Sequence, residues 1–207
     1  MKKLKVKKMQ APSTHIGIDY GSKTAGTTAI AHLSEEKLYV EQSSKGADAD
    51  LWVLQQITKY NSKLIFIDAP LTLPKAYFQE PALPESNFFY RVCDIEVGAM
   101  SPMFIGGLTA RAIKLRTELA TKGIGMLEAY PAALNKLLFA ELTGYKKSLA
   151  ALPLYVEALH GLLPYNLTTI PQNWHQFDAL LAWYSGFRHM QGISILYGDS
   201  REGRIIV

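Results

Sequence analysis

Short apolar runs with alternating polar positions dominate the chain after its basic start. Residues 14–20 (THIGIDY), 27–34 (TTAIAHLS) and 37–44 (KLYVEQSS) each have the two-residue periodicity of a β-strand. A turn of small residues, GSKTAG, separates the first two runs, and a charged turn at Glu35 and Glu36 separates the second from the third. The pattern therefore predicts a three-stranded antiparallel meander.

Helical periodicity follows directly. The segment DADLWVLQQITKYN places Leu51, Leu54 and Ile57 at helical spacing and offers an N-terminal cap at Asp48 or Asp50. The next segment, KLIFIDAPL, is almost wholly apolar, which is typical of a central strand covered on both faces. The pattern thus changes from strand to helix and back to strand, as in α/β proteins.

An irregular section precedes the remaining helices and strands. Prolines at 70, 74, 81, 84 and 102 predict a loop-rich insertion, broken by a short helix near residues 88–99. A helix over 108–121 follows, with Ala112, Leu115 and Leu119 on one face and Gly123 as its cap. The last predicted elements are a strand in GMLEAYP, helices over 133–142, 149–162 and 176–190, and a terminal hairpin around GDSREG.

The composition fits one α/β domain. Of 207 residues, 48% are hydrophobic and 19% are charged, which is enough to bury a single full core. We expect one domain over residues 13–207, preceded by a basic, flexible tail over residues 1–12. The single cysteine, Cys93, excludes an internal disulfide, and no apolar stretch of transmembrane length follows the basic start. A cytoplasmic protein without a membrane partner is therefore expected.

The net charge of +4 and the isoelectric point near 9.0 come from the start of the chain. Five lysines lie in MKKLKVKK, so the remaining chain is close to neutral. Such a tail is more often a solvated feature than an arm that binds nucleic acid. The basic isoelectric point therefore carries no argument for nucleic acid.

Two aspartates stand where predicted strands end, Asp19 in HIGIDYG and Asp68 in LIFIDAP. Because strand side chains alternate between faces, Asp19 points away from Ile16 and Ile18, and Asp68 shares the face of Phe66. An ionised carboxylate in apolar surroundings is costly unless a cation, a basic side chain or a proton compensates it. Two such acids together predict a metal site.

The order of the predicted elements resembles the ribonuclease H-like fold, a mixed sheet flanked by helices. Seven segments also resemble, in order, the family called domain of unknown function 429, described as predicted RNase H-like nucleases: GIDYGSKTAGTTAI, IDAPLTLP, YRVCDIE, SPMF, LEAYPAA, FDALLAWYSG and GDSREGRIIV. The resemblance covers nearly the whole chain after the tail. It implies that Asp19 and Asp68 lie side by side and that Asp178, in the first turn of the last helix, is a third acid. Phe177 stands where the family is expected to have a further acid.

The resemblance implies a site for phosphodiester hydrolysis, in which two Mg²⁺ or Mn²⁺ ions about 4 Å apart activate a water and stabilise the leaving oxygen. We expect Asp19, Asp68 and Asp178 to be metal ligands. Glu128 in LEAYP is the best fourth carboxylate, so all four acids are catalytic candidates. The loop-rich insertion adds two reserves, Asp94 and Glu96. For each acid the alternative is an ordinary cap or a buried ion pair.

Two basic residues are candidates for substrate binding. Lys23 lies in the glycine-bearing turn and Arg91 precedes Cys93, and either suits a phosphate. The alternative for Lys23 is an exposed turn lysine, and for Arg91 an ion pair with Asp94.

Three other reactive side chains are expected to be structural. Lone cysteines are commonly small buried residues, so Cys93 is not favoured as a nucleophile. His15 falls on a strand and His175 just before the last helix, and neither has a partner at metal-ligand spacing.

The leading hypothesis is a metal-dependent nuclease that acts on nucleic acid with water as nucleophile. GIDYGSKTAGTT also resembles the phosphate-binding hairpin of actin-like ATPases and sugar kinases, which makes an ATP-dependent phosphotransferase the alternative. Those proteins join two such domains, whereas this chain has room for about one. A catalytically silent RNase H-like binding protein is a third hypothesis, favoured by Phe177 and by the near-neutral body. The terminal hairpin and the apolar loop favour a homodimer.

Overall fold

A computed structural model describes residues 15–79, 83 and 85–207. The strands in this part of the chain are β1 (His15–Asp19), β2 (Ala29–Ser34), β3 (Lys37–Gln42), β4 (Leu64–Asp68), β5 (Gly125–Ala129), β6 (Asn166–Leu167), β7 (Leu196–Asp199) and β8 (Gly203–Ile206). The helices are α1 (Ala49–Lys59), α2 (Val92–Val97), α3 (Gly106–Thr121), α4 (Pro131–Leu138), α5 (Leu152–His160) and α6 (Trp174–Met190). The tail predicted over residues 1–12 lies outside the described residues.

One mixed sheet contains all these strands in the order β6-β3-β2-β1-β4-β5-β8-β7. Strands β1, β2 and β3 pair antiparallel, and Glu35 and Glu36 adopt positive φ in the tight turn between β2 and β3. This confirms the predicted meander. Strands β4, β5 and β8 extend the sheet from β1 in parallel, and β7 pairs antiparallel with β8. The predicted α/β class, with a mixed sheet and a C-terminal hairpin, is therefore confirmed.

Helices cover both faces of the sheet. On one face, α1 and α3 pack against apolar side chains of β1 and β4, namely Ile16, Ile18, Ile65 and Ile67. On the other face, α6 lies across β1, β2 and β4, and α4 and α5 pack against it. The centre of the sheet is thus buried on both sides, which is why β4 reads as a continuous apolar run. No helix in the described ranges has both the length and the apolarity needed to cross a bilayer.

The predicted stripe of α1 is only partly buried, because Ile57 and Leu54 pack against the core but Leu51 faces solvent. Leu51 is 59% exposed, and the buried side chains are Ala49, Val53 and Ile57, each four residues apart. Both series contain Ile57 and both have helical spacing, so the pattern did not decide between them. The N-cap is Asp48, whose carboxylate accepts from the amides of Asp50 and Leu51.

Asp178 is the fifth residue of α6 and does not lie in its first turn. The helix begins two residues earlier than predicted, at Trp174, because the side chain of Asn173 accepts from the amide of Gln176 and forms the cap. Asp178 is fully buried, because α6 packs against the sheet.

The helices predicted over 88–99, 133–142 and 149–162 are longer than the observed α2, α4 and α5. Helix α2 ends at Gly98, whose φ of 69° is a left-handed cap, and α4 begins at Pro131, which suits a first helical position. A 3-10 turn over Leu149–Ala151 precedes α5, and another occurs at Lys75–Tyr77. The short strand β6 was not predicted, because two residues carry no periodicity.

Candidate metal centre

The carboxyl ends of β1 and β4 place two acids next to each other. The two strands are parallel neighbours, and their register pairs Asp19 directly with Asp68. The alternation of the strands turns both side chains away from the isoleucine layer, towards α6. Two sequence positions far apart along the chain therefore meet at one edge of the sheet.

Helix α6 brings the third acid because it approaches β1 very closely. A Cβ atom on Gly17 would lie 2.1 Å from the Trp183 nitrogen and 2.4 Å from the Ala179 oxygen. On the helix, a Cβ on Gly186 would lie 2.4 Å from the ring of Phe66. Glycine at both positions lets the helix backbone lie against the strand, so the second turn of α6 carries Asp178 to the ends of β1 and β4.

Three of the predicted acids come together. One carboxylate oxygen from each of Asp19, Asp68 and Asp178 lies within 4.8 Å of the others. These three residues form the acidic triad. Oxygens at this spacing suit a shared cation, and the separation is well inside the reach of a binuclear centre.

Neighbouring side chains hold two members of the triad. His175 Nδ1 donates to Asp19 Oδ2 at 2.7 Å, and the Tyr145 hydroxyl donates to Asp178 Oδ1 at 2.5 Å. The ammonium of Lys146 lies 2.5 Å from Asp178 Oδ2.

The third member, Asp68, is different. Within residues 15–79, 83 and 85–207, no hydrogen bond or ion pair reaches its carboxylate, although it lies beside the other two acids. The charge of this half-buried carboxylate is therefore balanced only at a distance, by the ammonium of Lys146.

The pKa values of the triad reflect crowded negative charge. Burial, followed by the charge of Asp19, raises the pKa of Asp68 well above its ordinary value. Burial also raises the pKa of Asp178, to about 6, against the opposing effect of Lys146. The hydrogen bond to Asp19 raises the pKa of His175.

The triad fits a hard divalent cation. Mg²⁺ and Mn²⁺ prefer oxygen ligands, and all three donors are carboxylates. Among the described residues, the carboxylate of Asp68 has no hydrogen bond or ion pair, so its oxygens are available to a cation. A bound cation would favour the ionised form of Asp68 and so oppose the burial and the charge of Asp19, which raise its pKa.

Glu128 and Arg91 lie beside the triad but bind each other. Glu128 Oε1 and Oε2 accept from Arg91 Nη2 and Nη1 at 2.6 and 2.8 Å, and Oε2 also accepts from the amide of Leu71 at 3.0 Å. Asp94 accepts from the same guanidinium at 2.6 and 3.0 Å. Arg91 is fully buried, and its guanidinium donates to these two carboxylates and to the hydroxyl of Thr72.

The other candidates lie in separate contacts. Lys23 is exposed and pairs with the cap residue Asp48 at 3.1 Å, and Glu96 accepts from the amide of Gly198 at 2.7 Å. Burial raises the pKa of Cys93 to about 12, so its thiol is protonated at neutral pH. His15 is buried and its Nε2 lies 2.8 Å from the Trp183 oxygen.

The glycine-bearing turn after β1 is already hydrogen-bonded. The amide of Gly21 donates to Thr28 Oγ1 at 3.1 Å, and that of Ser22 donates to Thr27 Oγ1 at 3.2 Å. These amides are therefore used within the turn and do not point to a phosphate.

A pocket of about 290 Å³ opens next to the triad. Asp19 and Asp68 line it, together with the apolar side chains of Met100, Ile105 and Leu108 from the region between α2 and the first turn of α3. The acids therefore stand at the edge of a cavity with an apolar wall.

Sequence reasoning missed the side chains that hold the triad. His175 was expected to be structural, although it precedes Asp178 by three residues, a spacing that puts both on one helix face. That spacing was the available signal. Tyr145 and Lys146 lie in a loop without periodicity, so nothing in the sequence placed them near α6.

Comparisons with known proteins add no family to this geometry. The chain matches none of the protein-family models against which it was scanned, and a search of curated proteins finds no significant relative.

Proposed function

We propose that the chain is a metal-dependent nuclease of the RNase H-like kind, which hydrolyses phosphodiester bonds. The observation that carries this proposal is the convergence of three carboxylates from β1, β4 and α6 to within 4.8 Å. The three acids come from segments that are far apart in the sequence. Together they concentrate negative charge that the described residues only partly neutralise.

The arrangement of strands supports the RNase H-like part of the proposal. An antiparallel meander is followed by a helix and by a strand that pairs in parallel with the first strand, as expected for that fold. The last long helix then adds an acid over the joined strand ends. The resemblance to the domain of unknown function 429 family points the same way.

The acidic triad would hold the cation. When bound, Mg²⁺ or Mn²⁺ supplies an activated water and stabilises the leaving oxygen of the phosphodiester. His175 fixes the direction of the Asp19 carboxylate, and Tyr145 fixes that of Asp178. The adjoining pocket gives room for the nucleotide attached to the phosphate, with Met100, Ile105 and Leu108 as its apolar wall.

Glu128 and Arg91 have a positioning role in this proposal. Glu128 already accepts three hydrogen bonds, from Arg91 and from the amide of Leu71. The guanidinium of Arg91 is surrounded by the carboxylates of Asp94 and Glu128. Both side chains therefore hold the loop-rich insertion against the sheet and form the wall of the pocket.

The proposal is tested by cleavage assays with Mn²⁺ and single- and double-stranded DNA and RNA. We expect the wild-type chain to cleave at least one of these substrates. Asp19→Asn and Asp68→Asn should each lower the rate by about a hundredfold or more, because each removes a ligand charge. The matched control is Glu118→Gln, which removes one carboxylate charge from the exposed side of α3 and should leave the rate unchanged.

Two results would contradict the proposal. Cleavage that persists in both aspartate variants would place the chemistry elsewhere. Tight Mn²⁺ binding without cleavage of any substrate would favour the catalytically silent binding protein.

A further inference from the structure

Lys146 stands out among the residues around the acidic triad. It lies in the connection between α4 and α5 and has a φ of 56°, a left-handed conformation that side-chain-bearing residues rarely adopt. The amides of Lys147 and Ser148 both donate to the Gly144 oxygen, which closes the turn around it. This turn directs the ammonium of Lys146 to Asp178 Oδ2 at 2.5 Å.

The ammonium supplies positive charge to the whole triad. Besides its contact with Asp178, its charge acts on both Asp68 and Asp19. Lys146 therefore has the electrostatic role that a bound cation would take, and it contacts a carboxylate that belongs to the candidate metal site.

The ion pair between Lys146 and Asp178 can open more easily than the ion pairs of Arg91. The Arg91 side chain is fully buried and hydrogen-bonds two carboxylates and Thr72. The side chain of Lys146 is 47% exposed, and the ion pair with Asp178 is made by its terminal atom alone. A lysine stem of this kind can move into solvent without opening the core.

We propose that Lys146 is an internal counterion that competes with the divalent cation for Asp178, and that metal binding displaces its ammonium from the triad. The inference rests on the proposed metal site and specifies how that site is controlled. Without metal, Lys146 limits the repulsion between the three carboxylates. A divalent cation replaces it by offering more charge to all three carboxylates at once.

The test compares Mn²⁺ affinity, by calorimetric titration, among the full-length wild type, Lys146→Met and Lys147→Met. Lys147 is the adjacent, exposed lysine. The Lys147→Met substitution removes the same charge without touching the triad. We expect the dissociation constant of Lys146→Met to fall about tenfold, because the competing charge is gone, and that of Lys147→Met to stay within about twofold. Thermal unfolding should also show a larger stabilisation by Mn²⁺ in Lys146→Met than in wild type.

The outcomes separate this inference from the proposed function. Equal or weaker Mn²⁺ binding by Lys146→Met, while the wild type binds and Asp68→Asn does not, overturns the inference and leaves the metal site standing. Mn²⁺ binding by Lys146→Met without detectable binding by wild type supports it. If none of the variants binds Mn²⁺, both proposals fall. If the methionine variant does not fold, Lys146→Gln provides the same comparison, because glutamine is uncharged and ends in a polar amide.

Discussion

The carboxylate of Asp68 lies at the end of β4 beside two other acids. Among the described residues it has no hydrogen bond or ion pair. Asp19 has the imidazole of His175 and Asp178 has the ammonium of Lys146 at hydrogen-bonding distance. The cost of the crowded charge therefore falls on Asp68, whose pKa is raised by burial and then by Asp19. A strongly perturbed carboxylate of this kind reduces stability and is typical of functional sites, which agrees with the proposed metal site.

The raised pKa values give the metal-free protein a defined pH dependence. In the unfolded chain an aspartate has a pKa of about 3.9, whereas burial raises the pKa of folded Asp178 to about 6. Between the two values the folded state holds a proton that the unfolded chain has lost. The contribution of such a group is present at low pH and is lost as the pH rises through its folded pKa.

We expect Asp68→Asn to separate stability from metal binding. Because burial and the charge of Asp19 raise the pKa of Asp68, lowering the pH towards 5 protonates the wild type, and its melting temperature in EDTA should approach that of the variant. As the pH rises towards 8 the variant should melt increasingly higher than the wild type, by up to several degrees, because deprotonation of Asp68 adds negative charge to the triad. Thermal unfolding followed by circular dichroism at both pH values measures the difference.

The control for this experiment is again Glu118→Gln. That carboxylate is 41% exposed and pairs with Lys122 on the surface of α3, so its removal should have the same small effect at both pH values. A lower melting temperature of Asp68→Asn near pH 8 would contradict the crowded-charge explanation. Mn²⁺ should stabilise the wild type and should fail to stabilise Asp68→Asn.

At the scale of elements, the contact of α6 with β1 determines whether the triad exists. Gly17 faces the backbone of the helix at Ala179 and Trp183, and neither backbone group can move aside as a flexible side chain would. Asp178 immediately precedes Ala179 in the same helix. A displacement of α6 from β1 therefore moves Asp178 away from Asp19.

We expect Gly17→Ala to lower the free energy of unfolding by about 3 kcal/mol, because the added methyl group overpacks the contact between strand and helix. Mn²⁺ affinity should fall with it. The matched control is Gly107→Ala in α3, where a Cβ meets nothing within 4 Å and helix propensity favours alanine. Urea unfolding with and without Mn²⁺ checks both variants, and equal effects of the two substitutions would contradict the proposed role of Gly17.

The elements around the triad differ in how well the sequence predicts them. Periodicity identified β1, β4 and α6, and strand alternation identified the faces of Asp19 and Asp68. It also left the inward face of α1 ambiguous, since Leu51 and Val53 both fit a helical stripe. Tyr145 and Lys146 were not predictable, because a loop residue reaches the triad through the packing of α4 and α5, which local pattern does not encode.

At the scale of the whole molecule, buried ion pairs attach the loop-rich insertion to the sheet. Arg91 joins Asp94 at the start of α2 to Glu128 on β5. From the hairpin between β7 and β8, Glu202 accepts from the amides of Lys75 and Val92 at 2.7 and 2.8 Å. Two ends of the insertion are therefore fixed to elements that are distant in sequence, and the apolar wall of the pocket depends on this attachment.

We expect Arg91→Met to destabilise the fold by about 3–5 kcal/mol near pH 7, because it leaves the buried carboxylates of Asp94 and Glu128 without their cation. The loss should shrink as the pH falls, since protonation removes the uncompensated charge and the folded state then binds more protons than the unfolded chain. Arg111→Met makes the same substitution in a pair with Asp50 that is partly exposed, 20% and 28% for the two side chains, so it should cost about 1 kcal/mol. Urea unfolding near pH 7 and pH 5 distinguishes the two, and a cost of Arg91→Met no greater than that of Arg111→Met would show that the insertion is held by other contacts.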